Sequence, residues 1–175
     1  MPNSDMRPIF KKYLNSNFIE TGCYLGSGIQ AAIDVGFKKI YSIELSDIFF
    51  ERCSRQFNTK KHVKIIKGDS AIALGPLLSQ IQEETTFWLD GHFSGDGTAR
   101  GLFLTPLLEE LRQIKEHHIK THTILIDDLR CWAKKDPEIG FDAQDIKKAL
   151  LEINPSYCIS YEYGIVPDDI MVAHL

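Results

Sequence analysis

The chain has 175 residues, 43% of them apolar, with 20 Lys plus Arg against 24 Asp plus Glu. That length and apolar share suit a single domain spanning residues 1–175 and exclude a disordered chain. The net charge of −4 argues against a nucleic-acid partner, no apolar run reaches the ~18 residues of a membrane helix, and the start MPNSDMRPIFKKYL lacks the apolar core of a signal peptide.

The first strand-like run is Asn17-Phe18-Ile19-Glu20, followed by a glycine loop and a helix start over Ile29 to Val35. Lys39 to Glu44 reads as a second strand. Ile48 to Phe57 carries apolar residues at 48, 49, 50, 53 and 57, a helical spacing. Val63 to Gly68 is a third strand, and Ser70 to Ile81 a helix led by a serine cap. Thr86 to Asp90 is a fourth strand, followed by a long loop to Gly101. Thr105-Pro106 opens a helix with apolar residues at 107, 108, 111 and 114. Thr123 to Asp127 is a fifth strand. A helix over Asp142 to Ile153 stops before Asn154-Pro155. Tyr157 to Tyr163 and Ile170 to Leu175 are two last strands, joined too tightly for a crossover helix and hence antiparallel. The alternation predicts an α/β fold, a doubly wound and mostly parallel seven-stranded sheet with an antiparallel C-terminal pair. The near-continuous apolar runs of strands one, three and five suggest strands covered on both faces. Cys23, Cys53, Cys131 and Cys158 form no CxxC pair, which reads as reduced thiols in the cytoplasm.

Ligands of such sheets bind at the carboxyl ends of the strands. Every parallel strand here ends in acid: Glu20, Glu44, Asp69, Asp90, and Asp127 with Asp128. Glycines 22, 26 and 28 let the backbone turn tightly and a ligand lie against it. Glu44 follows at the distance where an acid accepts from ribose hydroxyls, and Asp69 can meet an adenine amino group. One such residue alone means only a turn; the ordered set points to a nucleoside.

The segment Glu20-x-Gly22-x-x-x-Gly26-x-Gly28 resembles motif I of class I S-adenosylmethionine-dependent methyltransferases. Glu44 falls where that family places its ribose acid, Gly68-Asp69-Ser70 is similar to its segment after strand three, and Asp90 to the acid after strand four. The resemblance covers residues 17–175. It implies a Rossmann-like methyltransferase fold, S-adenosylmethionine as cofactor, and a cofactor site of Glu20, Gly22, Cys23, Tyr24, Gly26, Gly28, Glu44, Leu45, Gly68, Asp69, Ser70 and Asp90. The acceptor it implies is the hydroxyl of a small polyhydroxylated molecule, a sugar, nucleotide sugar or phenolic diol. Asp90, Asp127 and Asp128 are similar to the ligands of metal-dependent small-molecule O-methyltransferases, which hold Mg²⁺ (or Ca²⁺ or Mn²⁺) with oxygen donors. His92, beside Asp90, is the candidate general base. A homodimer is compatible with an open sheet edge.

Two rivals stand beside this reading. One is a nucleoside-binding domain without catalysis. The other is an NAD-dependent oxidoreductase, since Gly26-Ser27-Gly28-Ile29-Gln30-Ala31 also fits the dinucleotide pattern. The loop His92 to Gly101 reads as a lid, with Phe93 and Trp132 as substrate walls and Arg100 and Arg130 as grips for an anion. Cys23 reads as a filler. His62, His117, His118, His122 and His174 fall at helix ends or strand edges and need no function.

Overall fold

A computed structural model describes residues 5–93, 95, 99–135 and 137–175. Its strands are β1 (Asn17–Thr21), β2 (Lys39–Glu44), β3 (Val63–Lys67), β4 (Thr85–Leu89), β5 (Thr123–Ile126), β6 (Cys158–Glu162) and β7 (Ile170–His174). They form one sheet in the order β3-β2-β1-β4-β5-β7-β6. β1 to β5 are parallel, and β7 runs antiparallel to both β5 and β6. The expected seven-stranded sheet is present, with β7 inserted between β5 and the edge strand β6.

Helices α1 (Arg7–Lys12), α2 (Ser27–Val35) and α3 (Asp47–Gln56) lie on one face, and α4 (Ser70–Leu78), α5 (Leu107–Glu116) and α6 (Ala143–Ile153) on the other. Strand alternation splits the core accordingly. Phe18, Trp88 and Leu125 pack with α1 and α2; Ile19, Phe87 and Ile124 pack with α4, α5 and α6. The chain winds outward from β1 through β2 to β3, then returns to start β4 on the other side of β1. That reversal parts the loops after β1 and β4 and opens a crevice at their carboxyl ends.

Three details depart from the sequence reading. α1 was not expected: with six residues it is too short for a helical period, and it is held by Phe10, whose ring packs on Phe18, Phe37 and Trp88. The cap of α4 is Asp69, which accepts the Ala71 amide, rather than Ser70, and the helix ends at Leu78. β3 is a sheet edge with Lys64 and Lys67 exposed, so only β1 and β5 of the three apolar strands are covered on both faces.

The histidines also divide. His122 is fully buried and His117 nearly so. His122 Nδ1 accepts the Thr85 amide (3.1 Å), so its proton sits on Nε2. That N–H faces His117 Nδ1 at 2.8 Å, and His117 Nε2–H donates to the Ile81 carbonyl (3.2 Å). Both rings are neutral structural links, and burial holds His122 down to about 3. No helix among the described residues is long and apolar enough to cross a membrane.

Candidate functional site

β1 ends in Glu20 and Thr21, and the chain leaves the sheet at Gly22 with φ 82°, a conformation open mainly to glycine. A Cβ there would also lie 2.8 Å from the Asp90 carbonyl oxygen. The next residues are tied down by Glu44 from the end of β2. Its Oε2 accepts the amides of Cys23 (2.9 Å) and Tyr24 (3.1 Å), and its Oε1 accepts that of Ser46 (2.7 Å). A carboxylate has about four acceptor positions, so capacity for a ribose hydroxyl remains. Tyr24 takes a left-handed φ of 45° and packs edge-on to Phe49. Such strain in a non-glycine residue is held only where its surroundings enforce it.

Glu20 is fully buried, and Ser42 donates to it at 2.7 Å. Burial raises its carboxyl to about 8. Its Oε1 fills the space a Cβ on Gly28 would take, 2.1 Å away. Gly28 is therefore demanded by Glu20, and a carboxyl occupies the start of α2. A dinucleotide pyrophosphate needs that helix end for itself.

Asp69 serves as cap and clasp. Its Oδ1 bonds Ala71, and its Oδ2 accepts the amide of Leu102 at 3.0 Å, which draws the loop after β4 across the end of β3. Gly101 passes so close to Asp69 Oδ2 that a Cβ would lie 2.4 Å from it. The loop thus roofs the crevice, as a lid would; Ser94, Asp96, Gly97 and Thr98 of the sequence-assigned lid lie outside the described residues.

These elements enclose a cavity of about 990 Å³ at the switch point. Its wall includes Glu20, Gly22, Cys23, Tyr24 and Gly28 from the glycine loop. Glu44 and Leu45 follow from β2, Gly68, Asp69 and Ser70 from the end of β3, and Asp90, His92, Asp127 and Asp128 from the far side. Of the expected cofactor residues, Gly26 alone does not line the cavity; it turns the chain into α2 against the Phe57 ring. Phe93 and Arg130 line it. Arg100 does not, and Trp132 is buried beneath it, stacked on Phe141 and edge-on to His92 at 5.8 Å. Trp132 is therefore a support for His92 rather than a substrate wall. Cys23 packs in the core; the neighbouring Cys53 thiol and burial raise its own thiol, which leaves no nucleophile there.

At the far wall His92 stands between two carboxylates. Nε2 lies 3.2 Å from Asp128 Oδ2, and Nδ1 lies 3.6 Å from Asp90 Oδ1. Burial holds the imidazole below its ordinary value, against the pull of Asp128. Burial, then Asp127 and Asp128, push Asp90 well above the carboxylate range, and burial followed by Asp128 raises Asp127 to about 7. Asp128 sits at a left-handed φ of 57°, and its Oδ1 is 2.6 Å from Arg130 Nη1. Two participants escaped the sequence reading. Asp169, fully buried at the entrance of the neighbouring strand β7, pairs with Arg130. Glu110, on α5 beneath Gly91, has a buried Oε1 without a hydrogen-bond partner among the described residues. Only an acid at an apolar helix position or at a buried strand's entrance would have flagged them.

The comparisons bear on this geometry. No family model matches the chain, and no curated protein does either. Solved structures do share the fold. An O-methyltransferase from Bacillus cereus in complex with SAH is 15% identical, with a TM-score of 0.65 over 97% of this chain and 79% of that one. The SAH-bound methyltransferase PaMTH1 of Podospora anserina is 15% identical, with a TM-score of 0.64 over 97% of this chain and 75% of that one. The SAM complex of the O-methyltransferase TomG from Streptomyces achromogenes, involved in tomaymycin synthesis, is 12% identical, with a TM-score of 0.67 over 97% and 77%. The chain has the class I methyltransferase fold.

Proposed function

We propose that this chain transfers a methyl group from S-adenosylmethionine to a hydroxyl oxygen of a small substrate such as a sugar, nucleotide sugar or phenolic diol. The observation that carries the reading is the acid-walled cavity at the switch point. Glu20, Glu44, Asp69, Asp90, Asp127 and Asp128 face it, and Arg7 and Arg130 are the permanent cations of its described wall. Although burial holds Glu20 and Asp90 largely protonated, a wall so rich in carboxyl oxygens suits the ribose hydroxyls and ammonium of a sulfonium nucleoside and offers little to a dinucleotide pyrophosphate or a nucleic-acid backbone. The fold shared with SAH-bound and SAM-bound enzymes supports the same ligand. The four free cysteines, two of them exposed, are in keeping with a cytoplasmic protein.

The donor supplies an electrophilic methyl on a positive sulfur. Gly22 to Tyr24, fastened by Glu44, shape the end of the cavity that receives its ribose. His92, with its proton held on Nε2 toward Asp128, keeps Nδ1, 3.6 Å from Asp90 Oδ1, as its basic nitrogen, which takes the hydroxyl proton as the oxygen bonds the methyl and the carbon–sulfur bond breaks. Phe93, Gly101 and Phe103 from the loop after β4 line the cavity and supply an apolar wall for a substrate. The Mg²⁺ site implied by resemblance would draw on Asp90, Asp127 and Asp128. The arrangement does not suit it, because the His92 ring lies between Asp90 and Asp128 and both oxygens of Asp128 are taken by protein groups, Oδ1 by the Arg130 guanidinium and Oδ2 by the Nε2–H of His92.

Calorimetry with S-adenosylhomocysteine tests the reading. The wild-type chain binds one equivalent, and Glu44→Ala, which frees three backbone amides, weakens binding by about tenfold or more. Absence of wild-type binding, or preference for NADH, sinks the proposal.

A further inference from the structure

Asp127, Asp128 and Asp169 each place a carboxylate oxygen within 4.8 Å of the others, a spacing that suits a cation. A cation of the chain is already there. Arg130, from the 3-10 turn Leu129–Trp132, inserts Nη1 between Asp128 Oδ1, at 2.6 Å, and Asp169 Oδ2. Asp169 is built to receive it. It is fully buried at the entrance of β7, its Oδ2 also accepts the Ile165 amide (3.0 Å), and its Oδ1 accepts that of Arg130 itself (3.3 Å). Asp127 Oδ1 is taken by the Asp128 amide at 2.8 Å. On the remaining side the imidazole of His92 stands between Asp128 and Asp90.

We infer that the Arg130 guanidinium is the resident cation of this acidic cluster, standing where a carboxylate-held divalent ion would otherwise sit, so that the site works without metal. The inference rests on the methyltransferase reading of the same cavity. A guanidinium stays charged at every relevant pH and grips two carboxylates in fixed directions, which a hydrated ion or a lysine does less well. Arg130 is in this sense a positioning residue: Asp169 fixes Arg130, Arg130 fixes Asp128, and Asp128 faces His92. Without an ion to chelate two vicinal oxygens, an acceptor needs one hydroxyl only.

Equilibrium dialysis with Mn²⁺ alone tests this without any substrate. The wild-type chain retains no Mn²⁺ at micromolar free ion. Arg130→Met keeps the three carboxylates, removes their cation and gains one equivalent bound at least tenfold more tightly than in wild type; Arg130→Lys gains none. Stoichiometric micromolar binding by the wild type, abolished by Asp128→Asn, overturns the inference. So does failure of folded Arg130→Met to bind. Should Arg130→Met not fold, the wild-type measurement decides alone. Calorimetry of S-adenosylhomocysteine in EDTA, run in parallel, reports on the methyltransferase reading separately: lost wild-type binding there, with no Mn²⁺ retained, removes that reading and leaves the cation assignment standing.

Discussion

Glu110 shows how a single buried acid shapes the molecule's response to pH. It projects from the inner face of α5 and is 1% exposed, and burial raises its carboxyl to about 7 against the opposing pull of the nearby Ser70 and Thr21 side chains. A carboxyl whose folded value lies above the ordinary 4.5 holds its proton more tightly in the native state. Its stabilisation is complete below pH 4.5 and is lost as the pH rises through 7. Above pH 7 the native chain carries a buried charge. Glu110→Gln removes that charge, so the variant exceeds wild type by on the order of 2 kcal/mol at pH 8, with no advantage near pH 4. Urea unfolding at the two pH values measures this, and equal differences at both would refute it. His122 works in the opposite sense: its folded value lies below the unfolded one, so its contribution is present at neutral pH and falls away on acidification below about 6.5.

Among the elements, α1 gains least from its own sequence and most from its contacts. Six residues cannot sustain a helix in water, where even Ala-rich peptides need roughly 12–15. Proline near its start and Lys11 and Lys12 in its last turn help at the ends. The decisive contribution is Phe10, fully buried in an aromatic cluster with Phe18, Phe37 and Trp88. Phe10→Ala is expected to cost about 3–5 kcal/mol. Chemical denaturation checks the value, and a loss under about 1 kcal/mol would mean that the cluster closes without the helix. α6 is the contrast. Asp142 accepts the amides of Gln144 and Asp145 while the Asp145 side chain accepts the Asp142 amide, a reciprocal capping box that local residues close without help from the rest of the fold.

Across the whole molecule the sheet carries the loops, and the loops carry the site. A ligand that bridges the loops after β1, β2 and β4 binds the folded chain alone, so it raises stability by mass action. At a hundred times its dissociation constant the gain is about 2.7 kcal/mol, or roughly 5–10 °C in melting temperature for a chain of this size. S-adenosylhomocysteine is expected to produce that shift in differential scanning fluorimetry and NADH to produce none. A shift with NADH alone would favour the dinucleotide reading, against the Glu20 carboxyl that occupies the start of α2.

Local chemistry determined much of this in advance. Helical spacing marks α3 and α5, cap and stop residues mark α4 and α6, apolar runs mark the strands, and the ordered acids at strand ends mark the rim, because such signals act over a few neighbours. Tertiary structure decided the rest. That β3 is an edge, that Glu20 rather than a ligand fills the space at Gly28, and that Asp69 fastens the loop at Leu102 follow from strand order and loop path. The pairing of Arg130 with Asp169, distant in sequence, requires β7 to lie beside β5. Contacts between distant segments depend on which elements become neighbours, and a linear pattern records each element's inner face but not the partner it meets.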